Sequence, residues 1–165
     1  MPNSDIDLAR LAARVVRHLA NSERIVATAE SCTGGWIAKA LTDIAGSSRW
    51  FTEGFVTYSN ESKILRLGVS RSVLRTRGAV SEATAGAMAA GAIKRTGAHL
   101  AVAVTGIAGP DGAAPGKPVG TVWIGWAERR GRAIRVAVQL KHFRGDREAV
   151  RRKTVRAALQ GLLDI

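Results

Sequence analysis

The chain has 165 residues, 46% of them hydrophobic and few of them aromatic, which suits one domain spanning 1–165 with a real core. No apolar run approaches the ~20 residues of a membrane span, the segment Met1-Pro2-Asn3-Ser4-Asp5 lacks the layout of a signal peptide, and a single cysteine excludes an intrachain disulfide; the expectation is a cytoplasmic protein with no membrane partner. The net charge of +12 raises a nucleic-acid partner, but the basic residues scatter along the chain and no aromatics interleave with them as a base-stacking platform would need, so nucleic acid is not the expected partner.

Taken in order, residues 6–19 carry apolar side chains at helical spacing, with Ser4 or Asp5 available as a cap. Residues 25–30 read as a first strand. A helix is expected over 33–44, closed by Ala45-Gly46-Ser47-Ser48. Residues 51–59 alternate and read as a second strand ending in Tyr58. Asn60 is read as the N-cap of a short helix through Leu67, with Gly68 as its stop. Ser70 starts a further helical turn over 73–76, and Ser81 opens a long Ala-rich helix to about Thr96.

The nearly continuous apolar run 98–104 signals a strand covered on both faces. Residues 105–118 form a Gly/Ala/Pro-rich loop. Strands over 119–128 and 133–142 make a hairpin through 129–132. A last helix starts at Gly145-Asp146-Arg147 and runs to about Leu163. Helices between the early strands make those strands parallel, while the hairpin makes the late ones antiparallel. The fold class is therefore α/β, with a mixed sheet between helical layers.

The stretch Glu30-Ser31-Cys32-Thr33-Gly34-Gly35 carries the chemistry. A strand ends at a hydroxyl and a thiol, and a glycine pair opens a helix. Backbone N–H groups at that point attract a phosphate or the oxyanion of an acyl-transfer intermediate. A Cys32 nucleophile would need a histidine base, and His18, His99 and His142 are poorly placed, so Cys32 reads as a small packing residue. A serine nucleophile can use a neutral lysine as its base. Lys63 falls in the first turn of a helix, where the dipole disfavours a second positive charge and burial would lower its pKa further; taken alone it is read either as that base or as a solvated surface lysine.

Tyr58 ends the neighbouring strand and is read either as a bridge between Ser31 and Lys63 or as a packed ring with its hydroxyl in water. The loop Thr105-Gly106-Ile107-Ala108-Gly109-Pro110 should reach the same sheet edge, where open α/β sheets bind ligands. Arg147 begins a helix and supplies phosphate-sized donors. Glu30 and Glu53 read as salt-bridge partners. No metal-ligand spacing and no dinucleotide fingerprint is present, so neither metal nor cofactor is expected. Trp36, Trp50 and Phe51 serve either a homodimer interface or the core.

Five segments together carry a family resemblance. Ala29-Glu30-Ser31-Cys32-Thr33-Gly34-Gly35, Gly54-Phe55-Val56-Thr57-Tyr58-Ser59-Asn60, Gly78-Ala79-Val80-Ser81-Glu82, Val104-Thr105-Gly106-Ile107-Ala108-Gly109-Pro110 and Lys117-Pro118-Val119-Gly120-Thr121 resemble the C-terminal domain of the competence/damage-inducible CinA family. The resemblance covers about Leu8 to Leu163. It implies a three-layer α/β/α sandwich with a mostly parallel five-stranded sheet containing one inner antiparallel strand.

The same resemblance implies hydrolysis of the carboxamide of nicotinamide mononucleotide to nicotinic acid mononucleotide and ammonia. The implied catalytic residues are Ser31, Lys63 and Tyr58. The expected substrate-binding residues are Thr33, Gly34, Gly35, Thr105, Gly106, Ala108, Gly109 and Arg147. The implied partner is a small-molecule nucleotide substrate, and a homodimer is the expected oligomer. The rival expectation is a competence-related regulatory or nucleic-acid-binding module without amidase activity. Loop 110–117 departs from the family pattern, since Ala113, Ala114 and Gly116 remove polar groups there.

Overall fold

The structure is a computed structural model that describes residues 5–165; the Ser4 cap lies outside them. The element order is α1 (Asp5–Asn21), β1 (Val26–Glu30), α2 (Trp36–Thr42), a 3-10 turn (Ser47–Arg49), β2 (Phe51–Val56), α3 (Asn60–Leu67), α4 (Arg71–Arg77), α5 (Glu82–Thr96), β3 (Leu100–Gly106), β4 (Thr121–Arg130), β5 (Ala133–His142) and α6 (Arg147–Gly161). One five-stranded sheet has the order β2-β1-β3-β4-β5. Strand β1 is parallel to β2 and β3, and β4 is antiparallel to both β3 and β5. This is the mixed sheet with one inner antiparallel strand. No helix among the described residues is long and apolar enough to cross a membrane.

Two unlike cores explain the layering. On one face Val26, Val102, Val104, Val122, Ile124 and Trp126 pack against the apolar sides of α1, α2 and α6. Trp50 is buried in this cluster while Trp36 and Phe51 pack against it, so core packing accounts for all three. On the other face Ala27, Ala29, Ala101, Ala103 and Ala127 meet Met88, Ala89, Ala92 and Ile93 of α5. Small side chains there let α5 ride close to the sheet and to α3. A Cβ at Gly91 would stand 2.0 Å from the Leu67 carbonyl oxygen. Gly91→Ala is therefore expected to destabilise by about 2 kcal/mol through overpacking. Because Leu67 ends the helix carrying Lys63, kcat should fall as well; thermal unfolding and an assay of the purified variant check both.

Several element boundaries differ from expectation for local reasons. The helix expected over 33–44 begins only at Trp36, because Gly34 and Gly35 adopt left-handed φ values of 61° and 96°. The N-cap of α3 is Ser59, whose hydroxyl accepts from the Ser62 N–H at 3.1 Å, so Asn60 is the first helical residue. Ser70, Ser81 and Asp146 cap α4, α5 and α6 in the same way.

This topology puts one sheet edge to use. Strand β1 lies between β2 and β3, so the chain leaves it to one side and returns on the other. The C-terminal ends of β1, β2 and β3 converge where strand order reverses, and such a crevice is where open α/β sheets bind ligands.

Candidate active site

Ser31 is the first residue beyond β1. Its N–H donates to the Val104 carbonyl at 3.1 Å, which extends the pairing with β3 by one residue and fixes the start of the turn. On the other side the Thr57 N–H donates to the Glu30 carbonyl at 2.9 Å, carrying the end of β2 along with β1. Backbone bonds thus hold the main chain at Ser31 from both flanks.

Lys63 reaches this hydroxyl from α3. Its Nζ stands 3.1 Å from Ser31 Oγ, 2.7 Å from the Thr57 carbonyl and 3.2 Å from the Tyr58 carbonyl. The side chain is 1% exposed, and no carboxylate pairs with it among the described residues. Burial lowers its pKa from the ordinary 10.5, opposed only weakly by Cys32. Burial without a counter-ion favours the neutral amine. Nζ donates to the two carbonyls and to Ser31 Oγ; a neutral amine would keep the two carbonyl bonds and turn its lone pair to the Ser31 hydroxyl.

Tyr58 does not bridge Ser31 and Lys63. Its carbonyl accepts from Lys63, while its 62% exposed side chain turns outward and its hydroxyl accepts from Arg147 Nη2 at 3.1 Å. The cause is α6, whose first residue reaches across the crevice. Arg147 Nη1 also donates to the Gly109 carbonyl at 2.7 Å. β2 stops at Val56, short of the expected end, so one guanidinium ties a tyrosine two residues beyond β2 to the loop after β3.

The glycine amides expected to hold an anion are already committed. The Gly34 N–H donates to the Ser31 carbonyl at 3.1 Å, and the Gly35 N–H donates to Glu30 Oε2 at 3.1 Å. Glu30 is fully buried and pairs with no cation among the described residues. It instead accepts from the Thr33 hydroxyl at 2.5 Å and from the Ile37 and Ala38 N–H groups at 3.0 and 2.8 Å. Its carboxylate fills the positive end of α2, so a substrate phosphate finds that place taken. The Cys32 and Thr33 N–H groups donate to no other residue among those described.

Glu30→Gln sets N–H against N–H in a site built to receive only acceptors. Loss of charge-assisted bonds is expected to destabilise by roughly 3 kcal/mol, a fall of about 10 °C in Tm by thermal unfolding.

The remaining expected binding residues divide into frame and rim. The Thr105 hydroxyl donates to the Ala79 carbonyl at 2.8 Å and is buried, so it anchors the segment before α5 rather than facing the crevice. Gly106 gives β4 room, since a Cβ there would meet Val122 and the Thr121 carbonyl under 3.0 Å. Ala108 is buried in the first core cluster. Gly109 has φ 83° and offers its carbonyl to Arg147. Thr33 spends its hydroxyl on Glu30. Of the binding set, Arg147 alone presents a charged side chain at the crevice.

Cys32 behaves as a packing residue. It is buried in the first cluster, and burial pushes its thiol up to about 12, so no thiolate forms near neutral pH. None of the three histidines bonds to it. Arg95, Arg129, Arg147 and Arg151 each spend guanidinium donors on backbone carbonyls, which gives part of the positive charge a structural use.

Sequence reasoning missed two residues here. Glu30 was read as an ion-pair partner and is a capping carboxylate. Arg147 and Arg151, four residues apart among the scattered basic residues, lie on the face of α6 turned toward the crevice. That spacing was the available signal.

Comparisons with known proteins agree with this architecture. The profile of the CinA C-terminal domain matches residues 8–165. The chain is 52% identical over 155 residues to the nicotinamide-nucleotide amidohydrolase PncC of Pseudomonas putida, covering 94% of each protein. It is 51% identical over 159 residues to the protein of the same name from Escherichia coli strain K12, covering 96% of this chain and 94% of that one. The crystal structure of competence/damage inducible protein CihA from Agrobacterium tumefaciens superposes with a TM-score of 0.91 at 46% identity, covering 96% of this chain and 94% of that one. The chain belongs to the CinA C-terminal domain family.

Proposed function

We propose that this chain is a nicotinamide-nucleotide amidohydrolase that converts nicotinamide mononucleotide and water to nicotinic acid mononucleotide and ammonia. The names of relatives at about half identity over nearly the full chain support the substrate and the reaction. The observation that carries the mechanism is the buried Lys63 amine, 3.1 Å from Ser31 Oγ and without a counter-ion among the described residues.

In this reading neutral Lys63 accepts the Ser31 proton as Oγ attacks the carboxamide carbon. The developing oxyanion is held by the Thr33 and Cys32 N–H groups, in place of the committed glycine amides; such a donor is typically worth ~3 kcal/mol in the transition state. The C–N bond breaks as the Lys63 ammonium returns its proton to the leaving nitrogen, giving ammonia and an ester on Ser31. Water, deprotonated by the same amine, attacks the ester. Collapse of that intermediate restores the Ser31 hydroxyl and releases the acid.

The phosphate pairs with Arg147, which has five N–H donors and uses two of its nitrogens on Gly109 and Tyr58. Tyr58 positions that guanidinium through its hydroxyl and steadies the amine through its carbonyl. The test is ammonia release from nicotinamide mononucleotide by the purified chain, with nicotinamide riboside beside it. Turnover of the mononucleotide with a markedly weaker KM for the riboside is expected. No ammonia from either would refute the reading.

A further inference from the structure

Arg151 has no part in the proposed chemistry, yet its side chain bonds directly to the nucleophile turn. Its Nε donates to the Cys32 carbonyl at 3.1 Å and its Nη2 to the Thr33 carbonyl at 3.0 Å. These two nitrogens form one edge of the planar guanidinium, so a rigid fork spans two consecutive carbonyls. The guanidinium is itself held. It lies 5.6 Å from the centre of the Trp36 ring, and Arg152 lies 5.1 Å from the same ring. Gly34 leaves it room, since a Cβ there would come 3.3 Å from Nη2.

Peptide geometry gives this contact a consequence. A trans peptide is planar, so its N–H points opposite to its C=O. The Cys32 carbonyl faces Arg151, so the Thr33 N–H points away from it. The Thr33 carbonyl faces Arg151, so the Gly34 N–H points away too. That second amide reports the direction, because it donates to the Ser31 carbonyl at 3.1 Å. The turn 31–34 is thus one short 3-10-like turn with two carbonyls gripped by α6, its Gly34 N–H closed on the Ser31 carbonyl and its Thr33 N–H directed away from α6. A cation on a carbonyl also polarises the peptide unit and makes its N–H a stronger donor.

We propose that Arg151 is the positioning residue of this site: its bidentate grip on the Cys32 and Thr33 carbonyls orients and polarises the Thr33 N–H, one of the two amides that receive the oxyanion, and fixes the Gly34 N–H that closes the turn. The inference rests on the proposed serine-dependent hydrolysis and adds to it a residue that touches no reacting atom. Since α6 also carries Arg147, one helix face would couple a rim residue to the amides beneath it.

The test compares the full-length chain with Arg151→Met and Arg151→Lys. Ammonia release from nicotinamide mononucleotide gives kcat and KM, inhibition by nicotinic acid mononucleotide gives a product Ki, and thermal unfolding gives Tm. A misplaced oxyanion donor typically costs about 100-fold. Arg151→Met is therefore expected to lower kcat by about 100-fold, with KM and product Ki within about threefold of wild type. Arg151→Lys keeps the charge but cannot fork, and should lose at least about tenfold in kcat.

Three outcomes overturn the proposal. Raised KM and Ki at unchanged kcat would make Arg151 a ligand of the substrate. Unchanged kinetics with a lowered Tm, or failure of both variants to fold, would make it a structural brace. Wild-type protein that releases no ammonia would instead remove the hydrolase reading and this inference with it, so the two failures are told apart by the wild-type control.

Discussion

Ser31→Ala is expected to cut ammonia release by at least about 10,000-fold, the loss typical when a covalent nucleophile is removed. The fold should tolerate the change. The hydroxyl is nearly buried, the backbone bonds that hold the turn do not involve it, and removing one oxygen leaves no cavity of consequence. Substrate affinity should stay close to wild type, because Arg147 and the rim of the crevice are untouched. The readouts are kcat by ammonia detection, product Ki, and intact mass of protein quenched during turnover. Wild-type protein should carry the acyl adduct and the variant none.

Lys63→Met is the second large effect, expected at about 1,000-fold or more in kcat, since the base and the acid for the leaving nitrogen are lost together. The pH dependence of wild type is the sharper sign of this role. A base works when unprotonated, so kcat/KM should rise with pH through the lowered pKa of Lys63 and level off above it. Stability follows the same group. The folded-state pKa lies below the unfolded value of about 10.5, so between the two the unfolded chain binds more protons and stability rises with pH. The gain is complete above the unfolded value and is lost as pH falls through the folded one. Lys63→Met should flatten both curves, the first by kinetics and the second by denaturant unfolding across pH.

The parts of this site legible in the sequence are those that depend on local pattern. An apolar run ending in Ser31 beside a glycine pair marks a strand running into a helix. A lysine in the first turn of a helix contradicts the dipole, and that conflict singled out Lys63. The Ala-rich segment that became α5 and the apolar run that became β3 carry the layering of the second core in their composition alone.

What escaped is what long-range docking decides. Tyr58 reads as a strand end, but its hydroxyl bonds to a residue 89 positions away. Arg151 meets carbonyls 118 and 119 positions away, and those acceptors are backbone groups that carry no side-chain signature. Glu30 faces backbone donors as well, so its partners carry no side-chain signature and it reads as an ion-pair residue instead. The glycine amides failed as an anion site for the same reason. Gly34 and Gly35 have the conformational freedom such a site uses, and the turn spends it on its own closure and on Glu30.

The account stands on an unprotonated amine at Lys63. Titration of the Lys63 side chain by NMR with carbon-13-labelled lysine, its resonance assigned by loss in Lys63→Met, tests this most directly. The expected result is a midpoint below 10.5 that coincides with the rise of kcat/KM. A midpoint at or above that value, with the enzyme fully active at neutral pH, would contradict it.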